Sequence, residues 1–175
     1  MAVVPALKKF IQDVEIKYKS AVSESTWYKI AGMINFIGHR VHQEKQFFLN
    51  GPYWVIADPQ LGLDGLASFE FDCEIFNVIM FNLVAGSTGT TELDLKLATS
   101  PGGTFTSIFS TTPKISWTAV NNAYIAVGGT LTGATAPVLT GAAATVAAGS
   151  VLRLDKIQSM PDAQNCGLIV HYRPR

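Results

Sequence analysis

The stretch from residue 66 to residue 99 constrains the fold more than any other part of this sequence. From 67 to 75, apolar and polar residues alternate, which is typical of a β-strand with one buried face and one face in water. The run 76–84 is apolar on both faces apart from two asparagines, as expected of a strand that enters the middle of a sandwich. A turn is predicted at 86–90, and a second clearly alternating strand at 92–97.

Shorter strands separated by Gly- and Pro-containing turns are predicted through the rest of the chain. They are 105–110, 115–119, 124–127, 137–139, 151–157 and 168–172, together with a hairpin formed by 46–49 and 53–57. About eight strands at this spacing predict a mainly β domain, a jelly-roll-like antiparallel β-sandwich rather than a barrel. Cys73 and Cys166 are predicted to be buried free thiols rather than a disulfide, because two cysteines make no disulfide framework.

An N-terminal helical arm is predicted to precede the sandwich, with the arm in residues 1–46 and the sandwich in residues 47–175. Pro5 suits the first turn of a helix over 5–18, and Ser23 can cap a second helix. In that second helix five apolar residues are spaced 3, 4, 3, 4, which is the seam of a coiled coil. These seam residues are Trp27, Ile30, Ile34, Ile37 and Val41.

The seam is too short to hold the helix by itself. Burying five such side chains contributes about 1.5 to 3 kcal/mol each, whereas ordering the segment costs about 1 to 2 kcal/mol per residue. Tyr28, Met33 and Phe36 lie off the seam and offer a second apolar face. The arm is therefore expected to dock, either on its own sandwich, on copies of itself or on a larger partner.

Charge excludes two classes of partner. Thirteen basic and thirteen acidic residues cancel, so the chain has no overall attraction to nucleic acid or to an anionic membrane. Residues 1–50 hold seven Lys/Arg and four Asp/Glu, a net +3, and the remainder is −3. From 101 to 150 the one charged residue is Lys114, which predicts a neutral surface that is either covered or an exposed shell. No secretory signal and no transmembrane helix are expected.

No catalytic, cofactor or metal site is predicted. His39 and His42 are three residues apart with Glu44 nearby, but two ligands without a third are usually a solvated helix face. Asp94 and Asp155 lie on different strands and are expected to be unrelated exposed acids rather than a glycosidase pair.

Three aromatic residues are candidates for contact with a sugar. Trp54, Trp117 and Tyr124 could stack on a glycan, although core or interface aromatics are the commoner reading of such residues.

One family resemblance is carried by strand and turn sequences rather than by catalytic residues. The sequence GSTGTTELDLKLATSPGGTFTSIFSTTPKISW at 86–117, followed by PVL at 137–139 and AGSVLRLDKIQ at 148–158, resembles small β-sandwich proteins on tailed-bacteriophage virions. Those are head-decoration proteins, head fibres, and neck or collar fibres. VSESTWYKIAGMINFI at 22–37, followed by FFLNGPYWVI at 47–56, is similar to the anchoring arm that leads into their sandwich.

The resemblance implies a virion structural protein made in the host cytoplasm and displayed on the capsid exterior. Such proteins are oligomers, often trimers, attached to a major capsid or neck protein by their arms, and they carry no catalytic residues. The expected function is therefore an oligomeric head-decoration or short head-fibre protein. A neck, collar or tail fibre and a carbohydrate-recognising receptor-binding head are the alternatives, and a capsule depolymerase is the enzymatic one.

Overall fold

Thirteen β-strands form the part of the chain that the computed structural model describes, which is residues 43–49, 51, 59–141 and 145–175. In chain order they are β1 (Gln43–Leu49), β2 (Gln60–Ser68), β3 (Cys73–Val84), β4 (Thr90–Ala98), β5 (Thr106–Ser107), β6 (Phe109–Thr111), β7 (Lys114–Ser116), β8 (Ala123–Ala126), β9 (Ala134–Thr135), β10 (Val138–Leu139), β11 (Thr145–Val146), β12 (Val151–Gln158) and β13 (Gln164–Pro174). These ranges contain no helix. The predicted helical arm, up to residue 42, lies outside the described residues.

The strands form two main antiparallel sheets. In the first sheet the order is β1-β13-β3, with β8 and β11 both pairing with the remaining edge of β3. In the second sheet the order is β2-β12-β4-β7-β9, with β5 also pairing with β4. The short strands β6 and β10 pair with each other. The first four strands therefore alternate between the sheets, as do the last three, β11, β12 and β13.

A single buried core lies between the two sheets. Its members come from alternate positions of both, for example Val78 and Met80 of β3 and Leu93 and Leu95 of β4, all of which are fully buried. Burial of side chains of this size contributes about 1.5 to 3 kcal/mol each. The predicted antiparallel β-sandwich is confirmed for the described residues.

One predicted strand is in fact two. The alternation over 67–75 was expected to be one continuous strand, but β2 ends at Ser68 in the second sheet and β3 begins at Cys73 in the first. Residues 69–72 cross between the sheets. Phe69 exchanges backbone hydrogen bonds with the turn before β12, donating to Ser150 O at 2.9 Å and accepting from Gly149 N at 2.7 Å. The crossing residues keep their alternation because Phe69 still points into the core.

The first strand also differs in its extent and its partner. β1 begins at Gln43, so residues 43–46, which the sequence assigned to the arm, already belong to the sheet. Glu44 therefore lies on a strand. β1 pairs with the last strand, β13, from Gln43 opposite Tyr172 to Leu49 opposite Cys166. The expected hairpin partner, 53–57, lies outside the described residues.

Most of the remaining strand predictions agree with the structure in position, but two do not. The predicted strand 105–110 is two strands, β5 paired with β4 and β6 paired with β10, and the predicted strand 115–119 ends at Ser116. The turn at 86–90 joins β3 to β4, the segment 151–157 is β12, and 168–172 lies within β13. The short strand at 137–139 is β10. Cys73 and Cys166 are both buried free thiols, as predicted.

Candidate interaction surfaces

The outer face of the first sheet carries a continuous group of apolar side chains, which we call the apolar face. Its residues are Phe48, Ile79, Phe81, Leu83, Tyr124 and Ile169. The strand register places Phe48, Gly167, Phe81 and Tyr124 in one row across four strands. The next row holds Gln46, Ile169, Ile79 and Ala126. Tyr124 is 69% exposed, Leu83 38% and Phe48 37%.

Gly167 shapes the centre of this face. The rings of Phe48 and Phe81 stack above it with their centroids 5.5 Å apart. A Cβ at Gly167 would meet the Phe81 ring at 2.8 Å and would collide with the carbonyl oxygen of Phe47. The glycine therefore lets two aromatic side chains from strands on either side of β13 close over the middle of the sheet, as aromatic side chains do over strand glycines.

Polar residues border the apolar face at the end of the sheet where β1 begins. Glu44 lies opposite His171, with 3.8 Å between Glu44 Oε2 and His171 Nε2. Arg173 Nη2 lies 2.9 Å from Glu74 Oε2. The outer face thus changes from charged to apolar along the strands.

The outer face of the second sheet is different, because it carries a network of buried charges. Asp94 and Asp155 lie directly opposite each other on β4 and β12, and they are 6% and 0% exposed. Lys96 Nζ lies 3.1 Å from Asp155 Oδ2 and 3.8 Å from Asp94 Oδ2. Arg153 donates to both Asp155 oxygens at 2.9 Å, and its guanidinium lies 4.4 Å from the centroid of the Phe105 ring. The expectation that these two acids are unrelated and exposed is therefore wrong: strand pairing brings them together.

The two carboxyl groups of this network have opposite pKa shifts. Burial raises the pKa of Asp94 above 3.8, an effect that its hydrogen bond from Ser107 Oγ at 2.6 Å and the charge of Lys96 only partly offset. Burial acts in the same direction on Asp155. There the hydrogen bonds from Arg153, from Gly62 N at 3.0 Å and from Lys96 outweigh burial and hold the pKa below 3.8. Two neighbouring carboxyl groups, one with a raised and one with a lowered pKa, are typical of acid and base catalysis. Here, however, both carboxylates are buried and already contact neighbouring side chains.

The predicted sugar-contacting aromatics do not form one platform among the described residues. Trp117 follows β7 at the end of the second sheet, is 52% exposed, and donates its backbone N–H to Gly89 O at 3.1 Å. Tyr124 lies on β8, in the first sheet. Trp54 lies outside the described residues, as do the five seam residues, His39 and His42.

Sequence reasoning missed Phe48, Phe81 and Arg153. The run 76–84 is apolar on both faces, which predicts burial on both faces. In the structure Val78 and Met80 face the core, while Phe81 and Leu83 face outward. The apolar residues on the outer side of this strand could have indicated an interaction surface. The other residues of that surface come from strands remote in sequence, so the sequence did not show that they lie together.

Two kinds of feature are absent from the described residues. No helix in these ranges is long and apolar enough to cross a membrane. In the same ranges, no three His, Cys, Asp or Glu side chains are grouped so that they could hold a metal ion.

The antiparallel β-sandwich is the class of fold that the geometry defines. No protein-family model matches the sequence, and no curated protein matches it. Among solved structures the chain is similar to a protein of the capsid of Ralstonia phage GP4, at 11% identity and a TM-score of 0.48, over 78% of this chain and 86% of that one. A similarity at this level carries no argument about function.

Proposed function

We propose that this chain is a structural protein of a tailed-phage virion, which adheres to its neighbours by burying apolar surface. The observation that supports this most is the apolar face, where Phe48, Leu83 and Tyr124 are all more than a third exposed on one side of a sheet. Exposed apolar patches on soluble domains mark sites of association. The resemblance of 86–117 to decoration and fibre proteins supports the same function.

The sandwich in this proposal is a jelly roll. In that fold most successive strands lie in opposite sheets, and the first strand pairs with the last. The orders β1-β13-β3 and β2-β12-β4 have this form, with β1 beside β13 and β2 beside β12. Jelly rolls occur in viral capsid proteins but also in lectins and cupins, so the fold alone does not establish the function.

We propose that the sandwich is displayed on the capsid exterior as a head-decoration or short head-fibre domain. Between 101 and 150 the chain has one charged residue, Lys114, and many of the described side chains in this stretch are exposed, including Trp117, Val120 and Val138. A neutral shell of small side chains is compatible with dense display of many copies, because neighbouring copies would not repel one another.

The arm supplies assembly and anchoring in this proposal. Copies associate along the seam of the arm, with a trimer favoured. The seam residues are Trp27, Ile30, Ile34, Ile37 and Val41. The arms then attach the oligomer to a major capsid or neck protein. No cofactor, nucleic acid or membrane insertion enters this function.

Catalysis is not part of the proposal. Asp94 and Asp155, the carboxylates with opposite pKa shifts, are buried and held by Arg153, Lys96 and Ser107. A substrate would have to displace the side chains that cover Asp155. We expect this network to join β4 to β12 on the outer face of the second sheet rather than to process a ligand.

The substitution Ile34→Asp in the full-length protein tests the proposed assembly. A charge in the seam should convert the oligomer to monomers, as measured by sedimentation equilibrium, and should remove the protein from particles imaged by electron microscopy. Asn35→Asp adds the same charge one residue along, off the seam, and should change neither result. An Ile34→Asp protein that still assembles and attaches would contradict the role of the seam.

A receptor-binding head is the second candidate, and the exposure of Trp117 favours it. An exposed indole can stack on a sugar ring. In this case a glycan array should show binding by the protein that Trp117→Ala abolishes and Val138→Ala leaves unchanged. An array on which the protein binds no glycan would exclude this candidate.

A further inference from the structure

We propose that the apolar face binds the N-terminal segment of the same subunit, through the side of its predicted second helix that carries Tyr28 and Phe36. This goes beyond the proposed virion function, because it requires no particle and makes the chain's own arm, and not a neighbouring copy, the occupant of the apolar face, so that adhesion between copies rests on the seam. It assigns the two apolar sides of the arm to two different surfaces: one side contacts the sandwich and the seam contacts other copies.

The point where the segment joins the sandwich supports this occupant. The chain enters the first sheet at Gln43, at one end of β1, and β1 is the strand that contributes Phe48 to the apolar face. From Gln43 to Phe48 is five residues, or about 17 Å along a strand. Tyr28 precedes Gln43 by fifteen residues, which is about 22 Å in a helix. A helix that folds back along the sheet therefore has the length to bring Tyr28 to the aromatic row.

The pattern of the segment provides the complementary surface. At 100° per residue, Tyr28 and Phe36 each lie about 140° around the helix from the centre of the seam, whereas Met33 lies about 80° from it, beside Ile37. A helix that is apolar on two sides buries both when it is stable in water. The apolar face, with Tyr124 and Leu83 exposed, is a surface of the matching kind.

Charge and tethering favour the segment over an unrelated partner. Residues 1–42 contain six Lys/Arg and three Asp/Glu, a net +3, whereas residues 43–175 contain seven and ten, a net −3. The opposite net charges attract the two parts of the chain. Because the segment is joined directly to β1, its effective concentration at the sheet is about millimolar, so a weak apolar contact is enough to hold it.

Photo-cross-linking of the full-length protein tests the proposal. A benzophenone amino acid replaces Tyr124 on the apolar face or, as the matched control, Leu66, which is 55% exposed on the outer face of the second sheet. Mixed isotopically light and heavy subunits distinguish contacts within a subunit from contacts between subunits. We expect cross-links from position 124 to residues 22–41 of the same subunit, and none to that segment from position 66.

A second measurement uses variants that leave the fold intact. Tyr124→Ser, at an exposed edge position, should make tryptic cleavage after Lys29 and Arg40 about tenfold faster by releasing the segment, and Leu66→Ser should leave the rate unchanged. Cross-links from position 124 to another subunit, or to no part of residues 22–41, would overturn the proposal. So would equal cleavage rates in the Tyr124→Ser, Leu66→Ser and unmodified proteins.

Discussion

Asp94 and Asp155 lie directly opposite each other on β4 and β12, both buried, with their carboxyl pKa values shifted in opposite directions. The difference arises from their partners. Asp155 receives two hydrogen bonds from Arg153, whereas Asp94 receives one from Ser107 and has Lys96 at 3.8 Å. One carboxylate is thus stabilised in its charged form and the other is not.

Replacing Asp155 by Asn should destabilise the fold strongly. Removing one partner of a buried ion pair costs about 3 to 5 kcal/mol. We expect a loss of about 2 to 3 kcal/mol in the free energy of unfolding, because Arg153 and Lys96 are partly exposed and can turn toward water. Urea denaturation measures it. The matched change Glu74→Gln breaks a surface ion pair with Arg173 and should lower the free energy of unfolding by less than about 1 kcal/mol. An equal loss of unfolding free energy in the two variants would show that the ion pair of Asp155 is solvated.

The pH dependence of stability should differ in sign for the two acids. The folded-state pKa of Asp155 is lowered, so its contribution is complete above the unfolded value of about 3.9 and is lost as the pH falls through the folded value. The destabilisation by Asp155→Asn should therefore be largest at neutral pH and shrink below about pH 4. Urea titrations of the variant and the unmodified protein at a series of pH values measure this difference.

Asp94 should show the opposite trend. Its folded-state pKa is raised, so its ionisation at neutral pH disfavours the folded state; this penalty shrinks as the pH falls through that raised value and is gone below the unfolded value of about 3.9. Relative to the unmodified protein, Asp94→Asn should lose stability as the pH is lowered from 7 toward 4. Parallel curves for Asp94→Asn and Asp155→Asn would contradict the assignment of opposite shifts.

Gly167→Ala should disrupt the first sheet. The added Cβ collides with the Phe47 carbonyl and meets the Phe81 ring at 2.8 Å, and the backbone atom cannot move without breaking the pairing of β1 with β13. We expect a loss of about 3 kcal/mol or more in urea denaturation. Gly102→Ala, where nothing lies within 4 Å of the added carbon, is the matched control and should change stability by less than about 0.5 kcal/mol.

The two cysteine thiols should be unreactive in the folded protein. Burial raises the pKa of Cys73 to about 12, and Cys166 is fully buried on the neighbouring strand. A disulfide reagent near pH 8 should therefore modify neither thiol in native protein and both in concentrated guanidinium chloride. Ser110→Cys supplies an exposed thiol as a positive control. Rapid native labelling at two sites without that substitution would show that the core opens readily.

Local pattern was sufficient for most of the strands and for the sandwich. Alternation of apolar and polar residues is a property of neighbouring positions in the chain, so β4 and β12 could be predicted without knowing what they pair with. The same property misled at residues 69–72, where the alternation continues although the chain leaves one sheet and enters the other. Periodicity shows which side chains face the core, and it does not show to which sheet a residue belongs.

The sequence alone determined the mainly β class, the neutral stretch around Lys114 and the 3, 4, 3, 4 spacing of apolar residues that predicts a seam in the N-terminal segment. The tertiary structure alone decided that Asp94 meets Asp155 and that Phe48, Phe81 and Tyr124 share one surface. The physical reason is the range of the interactions. Propensity and alternation depend on residues close together in the chain. A charge network or an apolar face depends on strand pairings between residues far apart in sequence. Only the complete core selects those pairings.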